Sequence, residues 1–157
     1  MNRSPKTKET SQAKGPNLSK FLCFAVYSAN LAFGRAYKPI LDAVGLTYTQ
    51  YIAMVALSEE DEQTVSALGE KLFLESNTLT PILKKLEALG YVTRQRDPSD
   101  ERQVIVSLTD AGRELRAQAF EMDLVAATGL SLDELKTMQR GVSTLRDNLR
   151  KYLQDSV

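Results

Sequence analysis

The chain of 157 residues is 43% apolar and 25% charged, ordinary values for one domain with a real core or a small domain with added dimerisation helices. Its 20 basic and 20 acidic residues cancel, which argues against a non-specific polyanion binder; nucleic-acid affinity would have to come from where charge is placed. No stretch nears the roughly 18 apolar residues of a membrane helix, no signal peptide opens the chain, and one cysteine with no histidine allows neither an internal disulfide nor a zinc site, so a cytoplasmic protein with no membrane role, metal or cofactor is expected.

Residues 1–17 are polar, hold two prolines and lack apolar periodicity, so they read as a disordered tail. Its basic residues could brush phosphates, but a solvated tail accounts for them as well. A long helix is expected from Leu18 to Val44. Phe21, Leu22, Ala25, Val26, Ala29, Phe33, Ile40 and Leu41 give it an apolar face wider than a surface helix needs, and Pro39 should end or kink it. Such a helix needs something to bury against. Thr47-Tyr48-Thr49-Gln50 is a capping box that starts a second helix, Tyr48 to about Glu59, and the acidic stretch Ser58 to Gln63 reads as a loop.

The run from Thr64 to Leu108 organises the rest. Val65, Leu68 and Leu72 mark one helical face, and Leu79, Ile82, Leu83, Leu86 and Leu89 mark another. Phe73 to Ser76 between them is too short for anything but a turn, and Gly90 stands where a left-handed residue would close the second helix. Ser76 is the preferred N-cap of that helix over Thr80-Pro81, which leaves Asn77, Thr78 and Thr80 on an exposed first turn. YVTRQRD and RQVIVSL alternate around Asp97 to Glu101 as a β-hairpin.

Two helices, a turn and a charged hairpin outline a winged helix-turn-helix DNA reader, although helix-turn-helix pairs also occur as plain packing units. The cluster of Arg94, Arg96 and Arg102 at the hairpin favours DNA, because arginine there can enter a minor groove. After it, Thr109 and Asp110 start a helix to about Ala127, Thr128-Gly129 breaks it, and Ser131 to Glu134 is a second capping box. The last helix carries a narrow seam, Leu132, Leu135, Met138, Val142, Leu145 and Leu149, suited to packing between subunits or within one chain. The expected fold is mainly α with a small β-hairpin wing. Its parts are a tail (1–17), an N-terminal dimerisation helix (18–47), the winged helix-turn-helix (48–108) and C-terminal dimerisation helices (109–157).

The segment DPSDERQVIVSLTDAG resembles the wing and following helix of the MarR family of dimeric winged-helix regulators, through the Asp100-Glu101-Arg102 motif and the Leu108–Gly112 LTDAG. LCFAVY around Cys23, AYKPILD around Tyr37, LTYTQY around Tyr48 and SNTLTPILKKLE resemble the organic hydroperoxide regulators within it, from Leu18 to the end. The resemblance implies that Cys23 is the peroxide-reactive thiol, that Tyr37 and Tyr48 hydrogen-bond its sulfur, and that Tyr27 lies nearby. It also implies that Arg102, held by Asp100, enters the minor groove, and that Ser76 to Thr80 open a recognition helix. Lys84, Arg94 and Arg96 are expected as further DNA contacts from their place on that helix and hairpin. Members with a second cysteine form a disulfide between subunits. This chain has none, so the resemblance implies the type that needs an outside low-molecular-weight thiol.

Read without the family, a lone cysteine on an apolar helix is most often a small buried hydrophobe. Chemistry requires a thiolate, hence exposure, a nearby helix N-terminus or hydrogen-bond donors. Spacing adds a constraint. Cys23 and Tyr37 are fourteen residues apart on one helical pattern, roughly 21 Å at about 1.5 Å per residue, so they can share a site only if Tyr37 comes from a second, antiparallel copy. Tyr27, one turn away, can serve within the chain. Three functions are weighed: a peroxide-sensing repressor of a pseudo-palindromic operator, a repressor released by a small aromatic ligand with Cys23 incidental, and a thiol peroxidase. The missing resolving cysteine and histidine argue against the enzyme.

Overall fold

The structure is a computed structural model that describes residues 17–118 and 122–156. The expected tail lies, but for Asn17, outside the described residues. A single 3-10 turn, Leu18–Lys20, precedes α1 (Leu22–Asp42), so the first helix starts later than its apolar pattern does. Pro39 does not end it. The ring removes one amide hydrogen bond near the C-terminus, where only one further turn has to form, and α1 continues to an Ala43 cap. The capping box then forms as expected, with the Gln50 amide donating to Thr47 Oγ1 (3.3 Å) and the Thr47 amide to Gln50 Oε1 (2.8 Å), at the start of α2 (Tyr48–Glu59).

The acidic stretch is not all loop. Gln63–Thr64 forms a short strand, β1, followed by α3 (Val65–Leu72), α4 (Ser76–Ala88), β2 (Val92–Arg96) and β3 (Val104–Leu108). The sheet is antiparallel in the order β1-β3-β2, with Gln63 opposite Val106 and Arg94 opposite Val106 from the other side. Two residues are too few for alternation to mark a strand. What fixes them is burial of Gln63, whose amide donates to the Ala56 and Glu60 carbonyls at the end of α2. Asp61 ties the same corner. Its carboxylate accepts the Glu62 and Leu108 amides (both 2.9 Å) and the Arg113 guanidinium (2.7 Å). Burial pushes that carboxyl up, but these donors outweigh it and hold it below the usual range.

The core is built where the periodicity points. Leu68, Leu79, Leu83 and Leu86 face inward and are fully buried, with Leu41 of α1, Leu57 of α2 and Val106 of β3 against them. Gly90 closes α4 at φ +81°, with its amide on the Glu87 carbonyl (2.9 Å) and the Tyr91 amide on the Leu86 carbonyl (3.0 Å).

Two members of the LTDAG segment, Thr109 and Gly112, have a clear physical reason. Thr109 Oγ1 caps the Gly112 amide (3.0 Å) and donates to the Gly90 carbonyl (2.6 Å), fastening α5 (Asp110–Ala117) to the end of α4. Gly112 lets α5 lie on the hairpin: a Cβ there would sit 2.1 Å from the Tyr91 carbonyl oxygen. Neither backbone can yield without lifting α5 off the sheet, so Gly112→Ala should destabilise by about 2–3 kcal/mol. Thermal unfolding should show it as a midpoint lower by roughly 5–10 °C; an unchanged midpoint would contradict the close approach.

Beyond α5 the expected single helix is interrupted. Gln118 caps α5, and a new short helix, α6 (Leu124–Thr128), starts at Asp123, whose carboxylate accepts the Ala126 amide (3.0 Å). Asp123 is an N-cap in mid-pattern, a residue that favours starting a helix over continuing one. After Gly129 (φ +71°), the Ser131–Glu134 capping box opens α7 (Leu132–Asp155). No residue of α7 is buried in the chain, and Leu132, Met138, Val142, Leu149 and Leu153 of its apolar seam are exposed. On α1, Leu22, Phe24, Leu31 and Phe33 are exposed as well. Among the described residues, no helix is long and apolar enough to cross a membrane.

Candidate nucleic-acid interface and thiol site

The second helix of the pair is positioned by its turn. Phe73 caps α3 in the left-handed conformation, and the Leu74 amide reaches back to the Gly69 carbonyl (2.9 Å). Gly69 is needed because a Cβ would stand 2.7 Å from the Leu74 oxygen. The N-cap of α4 is Glu75 rather than the expected Ser76. The Glu75 carbonyl accepts the Thr78 and Leu79 amides (both 3.0 Å), and Ser76 is already helical, its own carbonyl accepting Thr80 Oγ1 (2.7 Å). Pro81 stands inside the helix, so Thr80-Pro81 is not its start. Ser76, Asn77 and Thr78 are exposed, Thr80 is half-buried, and Lys84 is exposed two turns from Asn77 on the same side.

The hairpin tip is a set of local hydrogen bonds. Asp97 Oδ1 accepts the Ser99 hydroxyl (2.6 Å) and amide (2.8 Å), and the hydroxyl bond in particular holds the Asp97 carboxyl below the usual range. Asp100 accepts the Arg102 amide (3.1 Å) and the Gln103 side chain (3.1 Å). It therefore holds the backbone of Arg102 and not its guanidinium, for which no partner is found among the described residues. Arg96 donates one nitrogen to the Glu101 carbonyl (2.7 Å).

Arg94 is not part of the tip. It shares a strand face with buried Val92, turned toward α4, and its guanidinium grips Glu87 at 2.7 and 2.9 Å while its amide takes the other carboxylate oxygen (3.2 Å). The Arg94 hydrogen bond holds the Glu87 carboxyl low. The expected cluster of three guanidiniums is two at the tip and one strap between α4 and β2. Strand alternation puts Arg94 and Arg96 on one face and so does not separate them. What separates them is the partner, Glu87 for Arg94 and the Glu101 carbonyl for Arg96, which spacing does not reveal.

Cys23 is exposed at the second residue of α1. Tyr27 is exposed one turn on, its ring 6.4 Å from that of Phe24. Tyr37, near the other end of α1, meets Tyr48 (5.3 Å between ring centres) and Tyr51 (5.8 Å). Burial, with some contribution from the other two rings, pushes the Tyr48 hydroxyl up. The chain thus brings Tyr37 and Tyr48 together and keeps both from Cys23, because α1 runs unbroken through 23 and 37, about 21 Å of rise. Tyr51 completes the ring cluster and was not singled out in the sequence, although Tyr48 and Tyr51 stand three apart on one helix. Among the described residues no group of three acidic, cysteine or histidine side chains could hold a metal ion.

A helix-turn-helix whose second helix opens on a polar exposed turn, beside a hairpin tipped with arginine, defines the winged-helix class of DNA readers. The model of the SarA/Rot transcriptional regulators matches residues 35–118, and the chain belongs to that family. It is 44% identical over 143 residues to the HTH-type regulator TtmR of Methylorubrum extorquens, covering 90% of this chain and 73% of the relative. It is 38% identical over 136 residues to the organic hydroperoxide resistance transcriptional regulator of Bacillus subtilis, covering 85% and 92%. The solved structure of reduced AbfR bound to DNA superposes with a TM-score of 0.74 at 36% identity, covering 87% of this chain and 94% of that one. AbfR structures include one from Staphylococcus epidermidis. The resemblance to MarR-class winged-helix regulators and to their hydroperoxide branch holds.

Proposed function

We propose that the chain is a peroxide-sensing repressor that binds a pseudo-palindromic operator as a reduced homodimer and leaves it when organic hydroperoxide oxidises Cys23. The observation that carries this reading is the placement of the thiol. It is exposed at the start of an apolar-faced helix, with no cover among the described residues, while Tyr37 and Tyr48, which would serve it, lie together about the far end of that helix. Two antiparallel copies of α1 bring Cys23 of one to Tyr37 and Tyr48 of the other. The exposed seam of α7 joins the same interface, which favours subunit packing over packing within one chain. Residues 18–47 and 109–157 then form the dimer, and residues 48–108 read the DNA.

On DNA, the first turn of α4 (Ser76, Asn77, Thr78, Thr80) and Lys84 meet the major groove, and Arg96 and Arg102 meet the minor groove from a tip shaped by Asp100. Arg94 acts by fixing the hairpin to α4. Two-fold symmetry sets half-sites about 10 base pairs apart or a multiple of that.

In the redox step the Cys23 thiolate attacks the terminal peroxide oxygen. An S–O bond forms, the O–O bond breaks, and the alkoxide leaves and takes up a proton, giving sulfenic acid and an alcohol. A low-molecular-weight thiol then condenses with the sulfenic acid to a mixed disulfide and water. The added atoms disrupt the tyrosine contacts and shift the half-site spacing. Solved structures of AbfR exist reduced on DNA, overoxidised on DNA and with a disulfide formed. A DNA complex of the overoxidised form supports tying release here to the bulkier mixed disulfide rather than to added oxygens alone.

A gel shift tests this. Cumene hydroperoxide with a small thiol should release wild-type protein from a duplex it selects, and Cys23→Ser should stay bound under the same treatment. Release of both would favour the second reading, a ligand-released repressor. That reading has its own observation, an open depression of about 450 Å³ between α2 and α5 where Arg113 and Arg116 stand beside Leu57 and Leu108.

A further inference from the structure

The turn that aims α4 carries a side chain its backbone does not favour. Phe73 lies at φ 58°, ψ 35°, a conformation that glycine adopts freely and a residue with a Cβ does not. Its ring does not compensate by filling the core, since 47% of the residue is exposed. What covers it comes from the far end of the chain. The guanidiniums of Arg146 and Arg150, one turn apart on α7, lie 4.4 and 4.7 Å from the ring centre, inside the range of cation–π attraction. Asp147 holds Arg146 through its Nε and Nη2 (both 2.9 Å). Phe73, Arg146 and Arg150 line a surface depression that also includes Glu75 and Ser76, where α4 begins.

A bulky ring kept in a glycine conformation, with two cations on it and no core to fill, has one evident use: it is a handle. We infer that Phe73 is a positioning residue for DNA reading. Arg146 and Arg150 grip it and so fix the start of α4 to α7. This clamp rests on the proposed DNA-reading function, and it adds a route within one subunit from the exposed α7 seam to the recognition helix. A shift of α7 at the dimer interface would move the handle, and with it the angle at which α4 enters the groove. The competing use of the two arginines is direct contact with DNA phosphates.

The test uses the full-length dimer and a duplex that the wild type enriches from a randomised 30-base-pair library. Phe73→Gly removes the handle and relieves the backbone. Its thermal midpoint should be equal or higher and its dimer intact, yet affinity for the selected duplex should fall about tenfold, with a smaller margin over random duplex. Because no charge changes, the salt dependence should keep its slope. The pair Arg146→Gln with Arg150→Gln should lose affinity to a similar extent, again at an unchanged slope. Phe73→Trp keeps a ring under the cations and should bind as wild type, which keeps the test decisive if the glycine variant folds poorly. Should Phe73→Gly bind normally while the arginine pair lowers the slope by about two ions, the arginines contact phosphates and the clamp is overturned. Wild-type binding by all variants also overturns it and leaves DNA reading standing, whereas a wild type that enriches no duplex overturns both.

Discussion

A chain ending at Ser131 is expected to lose both self-association and operator binding. Nothing in α7 is buried within its own subunit, so the winged-helix core, whose buried leucines all lie between 41 and 115, should keep its fold. What the deletion removes is one of two exposed apolar surfaces, the seam with Leu132, Met138, Val142, Leu149 and Leu153. Without it the two reading heads are no longer linked. A half-site bound by one head forgoes the effective concentration that linkage supplies, which is worth roughly 10²- to 10⁴-fold in affinity. Sedimentation at micromolar concentration and a gel shift read the two losses separately. A truncated chain that stays dimeric would assign the interface to α1 alone.

The second large effect concerns the thiol. Tyr37→Phe keeps the ring against Tyr48 and Tyr51 and deletes only the hydroxyl, so the fold should be unaffected. A hydrogen bond to a charged group is worth about 1.5–3 kcal/mol. Removing that stabilisation from the Cys23 thiolate should slow its oxidation near neutral pH by roughly ten- to hundredfold. The oxidation rate with cumene hydroperoxide, followed by loss of free thiol, reads this directly. A rate equal to wild type would remove Tyr37 from the site.

Much of this architecture was legible because it rests on local chemistry. Both capping boxes, the inward leucines of α3 and α4, and the left-handed Gly90 each need only the spacing of a few residues. Three features were not: two depend on a partner in another element, and the third on a local cap that prevails over the apolar pattern. Gln63 becomes a strand because Ala56, Glu60 and β3 hold it. Arg94 leaves the tip because Glu87 meets it from another element. Asp123 starts a new helix where the apolar pattern runs on, a case of capping preference prevailing over periodicity. The site divides in the same way. The exposed polar turn of α4 followed from its helical phase once the start was fixed near 76. The tyrosine cluster needed the packing of α1 on α2, and the Phe73 handle needed the course of α7, which no spacing encodes.

The claim on which the functional account turns is that the thiol and its tyrosine belong to different subunits. A heterodimer of Cys23→Ser with Tyr37→Phe has one thiol, on the Tyr37→Phe chain, facing an intact Tyr37 from its partner. Its counterpart pairs the double variant Cys23→Ser/Tyr37→Phe with wild type, so that the single thiol faces a phenylalanine across the interface. The measurement is the rate at which each single thiol is consumed by cumene hydroperoxide. The first heterodimer should react at the wild-type rate per thiol and the second roughly ten- to hundredfold more slowly. Equal rates, or the reverse order, would contradict the shared site.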